Sequence, residues 1–356
     1  MNTPKARLEK SSPKRTNILL RLLGPGLVTG AADDDPSGIA TYSQAGAQFG
    51  YGLLWTVFLT APFMIAIQLV SAQIGRVTGK GIIANVKDFA PRWLVISLVA
   101  MLVMANTFNI AADLAAMGEA LSLVIGGLNR EHALIFAAMS VLLQVFVRYR
   151  RYAPALKILT LVLFVYVATA FTVQIPWGTA LAHTIWPAAA ISRDYLLMVV
   201  AVLGTTISPY LFFWQASQEV EEMKQNRPGR PLKERRPLKE LSRGGESEIA
   251  RIALDTSVGM VFSNVIAFFI IVTTAAVLNA GGVTNIRSAA QAAEALRPLA
   301  GNLTFVLFAL GIVGTGLLAV PVLAGSAAYC VAEAFGWPAT LEAKAPDAVG
   351  FYSIIA

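Results

Sequence analysis

The sequence predicts an all-α, polytopic membrane fold. Three observations predict it: a surplus of apolar residues, their recurrence in eight segments of membrane-span length, and a one-sided distribution of positive charge. Of 356 residues, 56% are hydrophobic and 14% charged, and the mean hydropathy is +0.62. A soluble domain is about 45–50% apolar and about 25% charged, so the surplus needs a solvent other than water. At roughly 20 residues per span, the length corresponds to one bundle of helices, where in water it would make two or three domains. Helices are expected over strands because a helix satisfies its backbone within one segment in lipid.

In chain order, residues 1–17 form a basic tail. No small-residue cleavage pattern follows it, so it reads as cytoplasmic and not as a signal peptide. Apolar segments follow at 18–48, 51–74, 93–125, 131–147 and 153–174, then at 193–222, 248–279 and 299–335. The first and sixth are interrupted. The stretch 18–174 is expected as one five-helix repeat, 175–192 as an external loop, and 193–356 as a second repeat. The second repeat holds three spans and the opening turns of a fourth at 350–356, so it is expected to be incomplete. Residues 224–246, with Pro, Gly and mixed charge, read as a flexible cytoplasmic connector. Residues 285–298 suit either a short external amphipathic helix or an ordinary loop.

With the N-terminus placed inside and the spans alternating, 24 lysines and arginines fall on the inner side. Arg130, Arg193, Arg287 and Arg297 fall on the outer side. That bias is what the positive-inside rule requires, and losing or adding a span would scramble it. The net charge of +7 then reflects topology and anionic lipid and gives no reason to expect nucleic acid. The expected location is a bacterial inner (plasma) membrane. Cys330 stands alone, and His132 and His183 are far apart, which excludes an intramolecular disulfide and a zinc site built on cysteine spacing. No nucleophile, base and orienting group occur together, so an enzyme is not expected.

The first segment carries Asp33-Asp34-Asp35-Pro36-Ser37-Gly38 at its middle. The apolar runs on either side are each too short to cross about 30 Å of hydrocarbon at 1.5 Å per residue. Together they make one span with a break, at which Pro36 removes a backbone donor and Gly38 permits unusual dihedrals. Carboxylates at membrane depth point to function. The sixth segment has a matching break, Thr205-Thr206-Ile207-Ser208-Pro209-Tyr210. Paired interrupted helices in oppositely directed spans indicate a five-plus-five inverted repeat with a midplane binding site. Freed carbonyls at half-helix C-termini suit a cation, as does Asp35.

At these residues the chain resembles the natural resistance-associated macrophage protein (NRAMP) family of divalent-metal transporters. The resemblance rests on Gly24-Pro25-Gly26, Asp35-Pro36, Ala40-Thr41 and the run from Gln44 to Tyr51. It continues through Leu53-Leu54-Trp55, Ser71-Ala72 and Thr78-Gly79-Lys80, and returns at Leu203-Gly204 and Ile207 to Pro209. It implies a LeuT-like inverted repeat with broken first and sixth helices. It also implies a secondary transporter working by alternating access, with a divalent metal ion as substrate, a proton as possible co-substrate and no cofactor. The family's first motif is Asp-Pro-Gly-Asn and its second Met-Pro-His. Carried over by position, Asp35 keeps the carboxylate, Thr205 offers a carbonyl, and Ser37, Gly38 and Ser208 complete the metal set. Gly38 stands where the family has Asn, Ser208 where it has Met, and Tyr210 where it has His. A thioether favours late transition metals, and an all-oxygen site favours Mg²⁺, Mn²⁺ or Ca²⁺. A shift toward harder ions is therefore expected. Tyr210 does not shuttle protons near neutral pH.

Around this set, Asp33, Asp34, Gln44, Tyr210, Asp113 and Glu119 are expected as flanking or ion-path residues, and Pro36 and Pro209 as the structural breaks. Asn106, Asn109 and Asp113 share one face of the third span, lining an aqueous path or bonding to a neighbouring helix. Glu219, Glu221 and Glu222 read as a solvated face. The alternatives are a carrier of a small organic cation or amino acid on the same fold, or a non-transporting membrane sensor. Three carboxylates at the break oppose a bound amino-acid carboxylate. The oligomeric state has no sequence signature.

Overall fold

The computed structural model describes residues 24–147, 151, 152, 155, 158, 160–187, 191–224, 236–240 and 245–356. Among them there is no strand. The expected tail at 1–17 and most of the connector at 224–246 lie outside the described residues, as does part of the fifth segment.

The first segment is two helices, α1 (Pro25–Asp33) and α2 (Pro36–Phe49). At 1.5 Å per residue they measure about 13 and 21 Å, so only the pair spans the hydrocarbon. Asp35 is the N-cap of α2 and Pro36 follows it. Proline's fixed φ and missing N–H suit the first helical position, and the Asp side chain takes an orphan amide. A 3₁₀ turn at Gly50–Leu53, with Gly50 at φ 56°, leads into α3 (Leu54–Thr78). Then come the short α4 (Ile82–Val86), α5 (Arg92–Ile125) and α6 (Asn129–Phe146). The fifth segment is represented by α7 (Phe164–Thr172). The stretch expected as an external loop contains α8 (Trp177–Ile185).

The second broken segment is α9 (Arg193–Thr206) and α10 (Pro209–Lys224), separated by Ile207 and Ser208. It repeats the pattern of the first, with a polar residue before a proline. Next is α11 (Glu246–Thr274), which closes in a π-helical turn at Ala275–Asn279. The last long helix, α12 (Ala289–Phe335), is divided at Gly301, where φ is 83°. Residues 289–298 of the 285–298 stretch are therefore helical. The chain ends in α13 (Val349–Ile355). Five helical stretches among the described residues are long and apolar enough to cross a membrane.

The centre of the bundle is α1, α2, α10, α11 and α12. α1 and α11 cross at glycine: a side chain on Gly30 would collide with the carbonyl of Gly259, and one on Gly259 with that of Gly26. Small residues permit this backbone approach in lipid, where no hydrophobic drive joins helices. Asp255 of α11 accepts from the amides of Gly24 and Gly26, both at 2.8 Å, and so holds the start of α1. Phe58, Trp93, Phe108 and Phe146 project outward from α3, α5 and α6, as a lipid-facing surface requires.

The glutamates at the end of α10 correct the sequence reading. Glu219 and Glu221 are buried, at 1% and 7% exposure. Glu219 pairs with Arg251 at 3.2 Å, and Glu221 accepts from the Tyr329 hydroxyl and the Leu341 amide, both at 3.0 Å. Neighbouring α11 and the segment after α12 wrap this turn, which a helical wheel does not reveal.

Candidate cation site at the two helix breaks

The two junctions before proline bring four half-helix ends together. The Tyr210 hydroxyl donates to the Ala32 carbonyl at 2.8 Å, tying α10 to the C-terminal end of α1. The hydroxyls of Tyr42 and Thr206 lie 3.1 Å apart and tie α2 to α9. Ser326 of α12 donates to the Tyr210 carbonyl at 2.8 Å. Sequence reasoning passed over Tyr42, Thr206 and Ser326, because a hydroxyl on an apolar helix carries no signal until its partner helix is known.

Asp35 is buried, with 3% exposure. Its Oδ1 accepts from the Gly38 amide at 2.6 Å and from the Ser37 hydroxyl at 2.8 Å. The next amide in line, that of Ser37, donates to Asp113 Oδ1 of α5 at 3.0 Å. Two carboxylates thus converge on consecutive amides at the positive end of α2, where a helix N-terminus favours anions. Asp113 is fully buried, and its Oδ2 has no hydrogen-bond partner among the described residues. A pair of carboxylates held this way presents oxygen lone pairs to a shared cation.

Gly38 leaves room for this convergence. A Cβ there would lie 3.1 Å from both Asp35 Oδ1 and the Thr205 hydroxyl, and 3.2 Å from the Asp33 carbonyl. The Thr205 group that faces Asp35 across Gly38 is therefore its hydroxyl. Its carbonyl, the expected ligand, accepts from the Ser208 hydroxyl at 2.7 Å. Ser208 also bonds back to the Gly204 carbonyl at 3.2 Å, and its lone pairs remain available to an ion. The hydroxyls of Tyr210 and Ser208 thus cover carbonyls freed by the breaks at Pro36 and Pro209.

Other expected residues fall elsewhere. Gln44 accepts from the Ile286 amide at 2.6 Å and donates to Gln48 and the Thr284 carbonyl, so it anchors the segment after α11 instead of flanking the ion. Asn106 donates to the Leu323 carbonyl at 3.0 Å, a bond between helices. Glu119 is half-buried on α5, six residues and about 9 Å of helix beyond Asp113. Asp33 turns to α11, where Ser263 donates to it at 2.7 Å. Of the bulky run at 212–214, Trp214 is fully buried and serves packing.

Buried carboxylates at the meeting point of two interrupted membrane helices define the class: a polytopic α-helical membrane protein with the architecture of secondary transporters. The chain belongs to the natural resistance-associated macrophage protein-like (Nramp) family, whose model matches residues 26–356. It is 29% identical over 314 residues to the divalent metal cation transporter MntH of Yersinia enterocolitica, covering 86% of this chain and 71% of that one. To the protein of the same name from Pectobacterium carotovorum it is 28% identical over 316 residues, covering 87% and 71%. In fold it is similar to a crystal structure of the Eremococcus coleocola manganese transporter, with a TM-score of 0.73 and 18% identity, covering 99% of this chain and 74% of that one. The expected LeuT-like class stands.

Proposed function

We propose that this protein carries a divalent metal cation across the membrane by alternating access, with the ion held between the α1–α2 and α9–α10 breaks. One observation carries the reading: Asp35 and Asp113, from different helices, meet on adjacent amides at the break. The names of the relatives support the substrate class. Asp35 and Asp113 supply charge, and Ser37, Thr205 and Ser208 supply hydroxyl oxygens beside Gly38. Every partner of the Asp35 carboxylate is an oxygen or a backbone nitrogen. Such a donor set favours hard ions that keep part of their hydration, so Mg²⁺, Mn²⁺ and Ca²⁺ are preferred over Cd²⁺ and Fe²⁺.

Flux into liposomes from a panel of these cations tests both parts. Saturable uptake abolished by Asp35→Ala is expected. Uptake of Cd²⁺ or Fe²⁺ far above Mg²⁺ overturns the hard-ion preference, and no divalent flux overturns the carrier. Tyr210 donates to the Ala32 carbonyl, and a tyrosine hydroxyl does not shuttle protons near neutral pH. Uptake that nevertheless multiplies under an inward proton gradient would point to proton transfer through Asp113 or Glu119.

A further inference from the structure

A cavity of about 340 Å³ lies where the start of α5 meets the end of α12. Lys87 and Arg92 supply its charge, Val95, Ile96 and Phe335 its apolar wall, and no carboxylate among the described residues lines it. Lys87 is fixed in place: its Nζ donates to the carbonyls of Glu333 and Ala334 at 3.0 and 3.4 Å. Those carbonyls carry only the partial charge of a helix end, so the ammonium charge is not cancelled. Asp88, beside it in sequence, is engaged by Lys80 at 2.8 Å. Arg92 is exposed and makes no hydrogen bond or ion pair among the described residues. Two cations therefore border one cavity that holds no anion of the chain.

Position says which anion fits. Arg92 opens α5 and Phe335 closes α12, and both helices are long enough to cross a membrane. The cavity thus lies at the level where hydrocarbon gives way to lipid headgroups. Trp93 is 69% exposed, and Phe335 stacks on Trp337 at 5.2 Å. Tryptophan rings collect at that level of a membrane. The lysine and arginine bias is expected to place this end on the inner side. A free phosphate ion would use the two cations and gain nothing from Val95, Ile96 and Phe335. A phospholipid uses both, with its phosphodiester between Lys87 and Arg92 and an acyl chain on the apolar wall. A headgroup amine would bring a third positive charge to the pair, so an anionic lipid fits better than a zwitterionic one.

We propose that this cavity binds the phosphodiester of an anionic phospholipid of the inner leaflet, of the phosphatidylglycerol type. The site is separate from the helix breaks and does not depend on what the chain carries.

The test presents the full chain in detergent with equimolar phosphatidylglycerol and phosphatidylcholine, and retained lipid is counted by native mass spectrometry. One basic residue near a membrane surface is worth about fivefold in binding. Phosphatidylglycerol is expected to be retained about twentyfold over phosphatidylcholine, and Arg92→Gln to cut that preference about fivefold. Arg92 has no bond among the described residues to lose, so this variant keeps the fold. Lys87→Gln is expected to act alike; should it fail to fold for want of its bonds to α12, Arg92→Gln decides. Lys344→Gln removes an exposed charge outside the cavity and is expected to leave the preference as it is. Equal retention of the two lipids, a preference that survives Arg92→Gln, or an equal loss with Lys344→Gln overturns the proposal. Inorganic phosphate that raises the thermal unfolding midpoint as much as phosphatidylglycerol does overturns it too, because the cavity then belongs to a soluble anion.

Discussion

At the scale of single residues, charge and donor softness at Asp35 and Ser208 can be separated. Asp35→Asn keeps an oxygen for the Gly38 amide and removes the charge, so the helix start survives while ion binding fails. Liposome uptake is expected to fall at least tenfold, about 1.4 kcal/mol of lost binding, with the unfolding midpoint nearly unchanged. Ser208→Met puts a thioether beside the break and is expected to raise Cd²⁺ uptake relative to Mg²⁺ about tenfold, a comparable free energy. An unaltered ratio in competition flux means that Ser208 does not face the ion. Asp35 was legible in the sequence because proline and glycine mark the break around it. Asp113 was legible as a polar residue on one face of a helix, but not as the partner of Asp35: periodicity fixes a face and leaves the neighbouring helix undetermined. That the Thr205 carbonyl already accepts from Ser208, three residues downstream, was not legible, because a back-bond at a helix break depends on its local geometry. Gln44 was misread because nothing in its own segment reveals that residues 284–286 fold over it.

At the scale of elements, positions of α1 depend on contacts with α11 that carry no chemistry. Where Gly30 and Gly259 cross, any Cβ meets backbone, and backbone does not yield as a side chain tip does. Gly259→Ala is expected to lower stability by about 1–3 kcal/mol, the range for overpacked cores. Thermal unfolding in detergent checks this, and an unchanged midpoint would mean the two helices do not cross so closely. Asp255→Ala removes the acceptor for two amides at the start of α1. Loss of an N-cap costs about 0.5–2 kcal/mol, and here it should appear as faster hydrogen exchange at Gly24 and Gly26 with the remainder of the bundle unaffected. The broken helices themselves were readable from length and punctuation. Their attachment was not, because glycines at a helix crossing look like any others until the crossing is known.

At the scale of the molecule, the charge distribution and the fold agree on which residues share an end. Lys80, Lys87 and Lys224 line a cavity of about 820 Å³ together with Asp88 and Glu342, and Lys80 holds Asp88 at 2.8 Å. Arg287 and Arg297 stand at the start of α12, whose 31-residue span from Phe305 to Phe335 separates them from that cavity by about 46 Å. Arg92 and Arg130 likewise flank opposite ends of α5. Lysine and arginine bias sets orientation because basic segments resist translocation, so the lysine-lined cavity is expected to open to the cytoplasm and the Arg287 end to the exterior. Cysteine replacements at Arg287 and Lys344 test this in intact cells with a membrane-impermeant thiol reagent. The native Cys330 is 1% exposed and contributes little background. Labelling of Arg287→Cys alone is expected, with Lys344→Cys reacting only after the cells are opened. The reverse pattern would invert the molecule in the membrane and exchange the two faces between which the ion proposed at Asp35 would pass.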